Sequence, residues 1–117
     1  MNYAEVFSRL CTETALIIFF KSNGDIRLML GTRNLSTVSL KWGFQGYNLG
    51  GHDNRCNINN GNVAVFDIML GDSRSFNIGR VIDIHYFGEI NTQEELDMAI
   101  QKFNDFKLKY ESEINKE

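Results

Sequence analysis

The sequence contains no proline and only two cysteines among its 117 residues. Without proline, glycine and asparagine have to form the tight turns, because both tolerate the positive φ that such turns require. Cys11 and Cys56 lie far apart and form no CxxC pair, which leaves a zinc cage or a disulfide framework almost without support. We interpret both cysteines as reduced packing residues.

Signatures of several protein classes are also missing. No apolar run approaches the roughly 18 residues of a membrane helix, and the N-terminus lacks the basic-then-apolar order of a signal peptide, so we expect a cytoplasmic protein without membrane contact. The phosphate-binding patterns GxxxxGK(S/T) and GxGxxG are absent. Only two histidines occur and no GxSxG elbow, so no nucleophile and base set is recognisable. We therefore expect a protein that is not an enzyme and that uses no cofactor or metal.

The charge is unevenly placed along the chain. Seven acids and four lysines after residue 91 account for the whole net charge of −3. Between Arg27 and Arg80, six basic residues face three acids, and five of the six are arginines, whose planar fork of donors suits phosphate. An acidic protein is a poor candidate for wrapping long nucleic acid, because that affinity grows with the number of phosphates neutralised. The distribution favours a small anionic ligand or a short nucleic-acid segment.

Hydrophobic periodicity predicts a helix, five or six antiparallel strands and a second helix. Apolar spacing predicts an amphipathic helix in residues 3–12. Strand-like runs at 15–20 and 26–30 flank Asn23-Gly24, a strong hairpin signal. Further strand-like runs are expected at 55–58, 63–70 and 74–87, with turns at 59–62 and 71–73 and a break at Gly79. Thr92 to Glu95 form a capping box that starts a long helix with one apolar stripe.

Together these elements predict an α+β fold in a single domain, residues 1–117. Short antiparallel strands with many tight turns tend to close into a small barrel. We expect an N-terminal helix in residues 1–13, the barrel in 14–90 and the C-terminal helix in 91–115.

The segment 34–54 has four glycines and no steady period, and we predict a long loop there. Loops of this length are uncommon unless they are functional or contain unrecognised structure. Its last part runs into Gly50-Gly51-His52-Asp53-Asn54-Arg55. The two glycines allow consecutive amide donors that, with Asn54 and Arg55, would form a small anion-binding concavity. The alternative is a flexible connector that enters the strand at Arg55, with His52 a loop histidine that bonds its neighbours.

Aromatic residues in the same segment have two interpretations. Trp42, Phe44 and Tyr47 are either stacking platforms for bases or a small apolar cluster beneath the loop. The interleaved cations Lys41 and Arg55 favour the binding interpretation.

Three polar residues interrupt strand-like runs. Asp67 lies in the apolar run 63–70, where a carboxylate needs a partner to offset its desolvation, and we expect an ion pair with Arg74 or Arg80. Asp83 is expected to pair with an arginine in the same way. His85 is interpreted as a partly buried, hydrogen-bonded residue.

Two stretches of the chain carry a family resemblance. FFKSNGDIRLMLGTRNL (residues 19–35) and RCNINNGNVAVFDIMLGDSRSFNIGRVIDIHYFGE (residues 55–89) resemble the small WYL-like proteins of tailed bacteriophages, especially T-even-like phages. The resemblance covers about residues 15–90 and implies an Sm-like small β-barrel in a phage protein. The part RSFNIGRV is similar to the ending of WYL domains in bacterial regulators, although the Trp-Tyr-Leu tripeptide itself is absent. Arginines of that ending are implicated in binding nucleic acids or nucleotide-like effectors, which here implies Arg74 and Arg80.

Two functions are consistent with the sequence. The first is a phage-encoded, non-enzymatic protein that binds a phosphate-bearing nucleotide-type ligand or short nucleic acid, with sequestering of a host defence signal as one version. The second is a protein-interaction module that acts on host transcription or another host machine through the acidic helix or an exposed barrel edge. A homo-oligomer is compatible with both, since Sm-like barrels often pair their edges. The predicted ligand-binding residues are Arg33, Lys41, Trp42, His52, Arg55, Arg74 and Arg80.

Overall fold

The computed structural model describes residues 1–43 and 56–114 of the chain, which form three α-helices and five β-strands. A short 3-10 turn, Ile78–Arg80, connects the last two strands. In chain order the elements are α1 (Tyr3–Leu10), β1 (Thr14–Phe20), β2 (Ile26–Thr32), α2 (Leu35–Trp42), β3 (Asn62–Asp67), β4 (Asp72–Asn77), β5 (Val81–Tyr86) and α3 (Gln93–Ile114). The α+β class, the antiparallel sheet and the two flanking helices are as the sequence predicts.

All five strands belong to one antiparallel sheet in the order β4-β3-β2-β1-β5. The β1–β2 hairpin is paired along its whole length, around a turn in which Gly24 has a φ of +91°. In contrast, β2 and β3 pair only where Gly31 and Thr32 face Asp67 and Phe66. Strands β4 and β5 are therefore the two edges of the sheet, and the 3-10 turn leads the chain from one edge to the other.

The sheet buries apolar side chains on both faces. On one face, Ile17, Phe19 and Phe76 pack with α1 in the interior of the curled sheet. On the other, Leu16 and Ile18 pack against α3 through Leu96, Ala99 and Phe103. Alternate residues of β1 therefore contact different layers, which explains why this strand is an unbroken apolar run. Of the helices in the described part of the chain, none is long and apolar enough to cross a membrane.

The start of α3 confirms the predicted capping box. The Thr92 hydroxyl accepts a hydrogen bond from the Glu95 amide at 3.1 Å, and the Glu95 carboxylate accepts from the Thr92 hydroxyl and the Asn91 amide. Its predicted apolar stripe also faces the core, with Ile100 and Phe106 partly buried there.

The third strand ends earlier than predicted. The run 63–70 is a strand only as far as Asp67, and the turn lies at 68–71 in place of 71–73. The Asp67 Oδ1 accepts hydrogen bonds from the amides of Met69 and Leu70, both at 3.1 Å, and the Asp67 carbonyl accepts from Gly71 at 2.8 Å. Side-chain acceptance of this kind turns the backbone away from the strand, and Gly71 completes the turn with a φ of +81°.

The first part of the predicted loop 34–54 is a helix, which corrects that prediction. Asn34 caps α2 by accepting from the Ser36 amide at 3.1 Å, and Gly43 ends the helix with a φ of +72°. Two buried residues, Thr37 and Val38, hold it to the rest of the fold, with the Thr37 hydroxyl donating to the Ile90 carbonyl at 2.8 Å. Half of the eight residues of this helix are β-branched or serine, which have low helix propensity, so packing against the rest of the fold contributes to its stability.

Two smaller predictions are also wrong. The expected strand at 55–58 is reduced, within the described residues, to an isolated bridge between Asn57 and Asn62, followed by a turn. Cys11 is exposed and is not a packing residue. Cys56 is partly buried, and its Sγ accepts from the Ala64 amide at 3.1 Å. Both thiols are free.

Candidate functional site

A pocket opens along the seam between edge strand β4 and the end of β1. Its volume is about 510 Å³, within the range of small-molecule sites. The end of β1 and its turn contribute Phe19, Phe20, Lys21 and Ser22. We call this cavity the seam pocket; its other lining residues are Arg27, Asn62, Ser73, Arg74, Ser75, Phe76, Asn77 and Arg80.

Among the residues that the structure describes, four cations and no Asp or Glu line the seam pocket. The cations are Lys21, Arg27, Arg74 and Arg80. They come from three parts of the chain: the β1–β2 hairpin, strand β4 and the 3-10 turn. Such a concentration of positive charge, with guanidinium forks and serine hydroxyls as donors, suits the binding of a phosphate-bearing anion.

The β-sheet register explains how these side chains meet. Arg27 faces Phe19 across the β1–β2 hairpin, and Arg74 faces Val65 across β3–β4. Cross-strand partners project to the same face of a sheet, and both Phe19 and Val65 belong to the interior apolar layer. Arg27 and Arg74 therefore extend from the interior face, at the mouth of the barrel.

An aromatic surface accompanies the cations. Phe20 lines the seam pocket and is 44% exposed, although a phenylalanine gains free energy by burial. An exposed aromatic residue in a pocket that guanidinium groups also line offers a surface on which a base can stack while those groups bind its phosphate.

Asp67 forms an ion pair with Arg74, one of the seam-pocket cations. The Arg74 Nε is 3.5 Å from the Asp67 Oδ2, a contact that is long for a hydrogen bond but confirms the predicted ion pair. Burial raises the pKa of the Asp67 carboxyl, and the amide hydrogen bonds from Leu70 and Met69 and the charges of Arg27 and Lys107 oppose this only in part. Because the Asp67 carboxylate contacts the Nε of Arg74, the two Nη atoms of that guanidinium can donate to a ligand.

Arg33 is placed elsewhere by the structure. Its Nη1 donates to the Ala64 carbonyl and to the Cys56 Sγ, the latter at 3.3 Å. Its guanidinium also lies 4.5 Å from the centre of the Phe7 ring. Arg33 thus connects α1, β2 and β3, and it does not line the seam pocket.

Lys41 and Trp42, also predicted as ligand-binding residues, lie at the end of α2 and outside the seam pocket. The Trp42 Nε1 donates to the Ile68 carbonyl at 3.0 Å, and its ring covers Gly71. The Lys41 Nζ lies 5.5 Å from the centre of the Trp42 ring. Trp42 therefore packs against the turn after β3, as in the apolar-cluster interpretation.

Some predicted positions fall outside the described residues. These are His52 and Arg55, together with the whole concavity proposed for 50–55 and the aromatic residues Phe44 and Tyr47. Of the five predicted ligand-binding residues that the structure describes, Arg74 and Arg80 are the two that line the seam pocket.

Sequence reasoning missed Lys21 and Arg27 as site residues. The Asn23-Gly24 turn fixes the hairpin register, and that register places Arg27 opposite Phe19, on the interior face. A charged residue at an interior position near a strand end is a signal that could have found Arg27. Lys21 has no comparable signal, since a lysine beside a turn is usual.

The remaining polar residues near β5 form a separate group. The His85 Nε2 lies 3.0 Å from the Asp83 Oδ2, so Asp83 pairs with a histidine and the predicted arginine partner is wrong. The His85 ring packs against Phe106 of α3 at 5.1 Å between ring centres. His85 is partly buried, as expected.

Comparison with known proteins agrees with this architecture. No curated protein and no solved structure gave a significant match. The family WYL_2, described as an Sm-like SH3 beta-barrel fold, matches residues 4–82, which include all of α1 but its first residue, the first four strands and all four of the seam-pocket cations named above. Helix α3 lies beyond the matched segment. The match covers more than half of the chain and confirms the predicted Sm-like barrel: the chain belongs to the WYL_2 family.

Proposed function

We propose that the chain is a non-enzymatic binding protein that holds a phosphate-bearing, nucleotide-type ligand in the seam pocket. The observation that carries this proposal is the set of four cations, Lys21, Arg27, Arg74 and Arg80, around one pocket in which none of the described lining residues is an Asp or a Glu. The exposed Phe20 ring supplies a stacking surface for a base.

A biological version of this function follows from the resemblance to phage proteins. A phage protein that binds a nucleotide without turnover would lower the free concentration of that nucleotide in the host cytoplasm. Sequestering of a nucleotide signal of host defence is the version that we favour. It requires a stoichiometric complex from which the ligand is recovered chemically unchanged.

Thermal shift measurements on the full chain test the proposal. The ligands are nucleotides, cyclic nucleotides, ADP-ribose derivatives and short single-stranded oligonucleotides. Binding to the folded state adds about 2.7 kcal/mol to its stability when the ligand concentration is about a hundred times the Kd, and this raises the apparent Tm. The shift should weaken at high ionic strength, since the contacts are ionic and partly exposed.

Two lysine variants form a matched pair in this experiment. Lys21→Gln removes a seam-pocket cation, whereas Lys41→Gln removes a lysine on α2 that does not line the pocket. We expect Lys21→Gln and Arg80→Gln each to reduce the ligand-induced shift and Lys41→Gln to leave it unchanged. A flat panel of ligands, or equal losses in Lys21→Gln and Lys41→Gln, contradicts the assignment of this site.

A second candidate function is a protein-interaction module, favoured by exposed apolar side chains on α3. Met98 and Leu108 are 62% and 68% exposed on a helix whose first turn is acidic. This candidate predicts a complex with one host protein that persists in Lys21→Gln and is lost in Met98→Ser or Leu108→Ser. The opposite pattern of losses would leave only the ligand-binding function.

A further inference from the structure

A second pocket adjoins the seam pocket on the other side of the β1–β2 hairpin. It has a volume of about 450 Å³ and lies between the hairpin and the last turns of α3. We call it the hairpin pocket; its lining residues are Lys21, Asp25, Ile26, Arg27, Leu28, Lys107 and Glu111. Lys21 and Arg27 line both pockets, so a ligand held by these two cations has access to both.

The two pockets differ in chemistry. In the described part of the chain, four cations and no carboxylate line the seam pocket, whereas the hairpin pocket combines Lys107 with the carboxylates of Asp25 and Glu111. A second phosphate in the hairpin pocket would meet two negative charges. A nucleoside suits it better, because a base and a ribose present both hydrogen-bond donors and acceptors, and Ile26 and Leu28 offer apolar contact.

The seam pocket has its own surface for a base. Phe20 lines the seam pocket and is absent from the lining of the hairpin pocket. Each pocket is within the size range of small-molecule sites. There are thus two places for a nucleoside, with the shared cations Lys21 and Arg27 between them.

We propose that the ligand is a dinucleotide, two nucleosides joined through phosphate. One base stacks on Phe20 in the seam pocket, the phosphates lie among Lys21, Arg27, Arg74 and Arg80, and the second nucleoside enters the hairpin pocket beside Lys107 and Glu111. This inference rests on the proposed function and specifies its ligand class.

Calorimetric titration of the full chain tests the inference with AMP, the linear dinucleotide pApA and the pyrophosphate-linked diadenosine diphosphate. We expect at least one dinucleotide to bind about tenfold more tightly than AMP, the factor that corresponds to 1.4 kcal/mol. Tighter binding of pApA or of diadenosine diphosphate identifies which linkage the pocket accepts. Equal affinity for AMP and both dinucleotides overturns the inference but leaves the proposed function intact, whereas no binding of any of the three counts against both.

Variants of the hairpin pocket locate the second nucleoside. Lys107→Gln and Glu111→Gln each alter only that pocket, and Lys109→Gln is a matched control on the same helix that lines neither pocket. We expect both test variants to lower dinucleotide affinity about threefold to tenfold, the change that corresponds to the loss of one hydrogen bond. The affinity for AMP should not change. Tighter dinucleotide binding by Glu111→Gln would place a phosphate in the hairpin pocket and refute the arrangement. Equal effects on AMP and dinucleotide would also refute it.

Discussion

The ion pair between Asp67 and Arg74 should make Arg74→Gln destabilising for a reason separate from ligand binding. The Asp67 side chain is only 10% exposed, and the Arg74 side chain is 29% exposed. At about 4 Å and an effective dielectric constant of about 20, two unit charges attract by about 4 kcal/mol, which is an upper bound for the pair. Loss of one partner costs about 3–5 kcal/mol in buried pairs and well under 1 kcal/mol in exposed ones, so we expect about 1–3 kcal/mol here.

A second substitution should restore most of this loss. Asp67→Asn removes the buried negative charge, and its side-chain oxygen can still accept from the amides of Met69 and Leu70. The double variant Asp67→Asn/Arg74→Gln should therefore be more stable than Arg74→Gln alone. Couplings between contacting residues are about 0.5–3 kcal/mol, and we expect a value within that range.

Urea denaturation at neutral pH of the wild type, Arg74→Gln, Asp67→Asn and the double variant measures this coupling. The reasoning is refuted if the double variant is no more stable than Arg74→Gln, since the unpaired carboxylate would then not be the source of the loss. If rescue is observed, the double variant is also a folded background in which ligand binding without Arg74 can be measured.

The buried Asp67 carboxyl also predicts how the free energy of unfolding changes with pH. The pKa of Asp67 is raised above its ordinary value of 3.8, so the folded state holds this proton more tightly than the unfolded state does. Ionisation of Asp67 therefore lowers the free energy of unfolding as the pH rises from 3.8 through the folded pKa, and the loss is complete above that pKa. Arg74→Gln should steepen this loss and Asp67→Asn should abolish it. Parallel pH profiles for wild type and Asp67→Asn would contradict the assignment.

Two further substitutions test packing around the barrel. Gly71→Ala should destabilise by more than the about 1–2 kcal/mol of a left-handed backbone, because its Cβ would lie 2.7 Å from the Trp42 ring. Gly88→Ala, with the same φ of +81° and open space around the added Cβ, should show only the backbone cost. Equal losses of Tm in the two variants would mean that the Trp42 ring moves aside freely. Phe103→Ala should cost about 3–5 kcal/mol in urea denaturation, because the side chain is 4% exposed between α3 and the sheet. Leu108→Ala, at 68% exposure on the same helix, should change stability by no more than about 0.5 kcal/mol, and similar values for the two would show that α3 is not docked.

The sequence predicts those elements whose local signals agree with their tertiary surroundings. The Asn23-Gly24 turn and the capping box at Thr92 use side-chain and backbone chemistry that acts within a few residues, and both form as predicted. Helix α2 has no such signal apart from its Asn34 cap, and burial of Thr37 and Val38 stabilises it. Strand β3 ends at Asp67, because the Asp67 side chain accepts hydrogen bonds from the next turn. The prediction extended the strand to residue 70 because the residues after Asp67 are apolar.

The candidate site was harder to predict than the fold, because residue type alone does not show at which end of the folded barrel a side chain lies. Arg27 lies near the start of β2 and Arg33 just beyond its end, six residues apart. An extended chain rises about 3.3 Å per residue, so the two are separated by about 20 Å. Arg27 lines the seam pocket, whereas Arg33, at the other end of the strand, does not. The prediction from residue type alone chose Arg33. The hairpin register instead pairs Arg27 with Phe19, and Arg27 lines the same pocket as Arg74 of β4. Locating the cations of such a barrel therefore depends first on the register of its β1–β2 hairpin and only then on how many arginines the sequence contains.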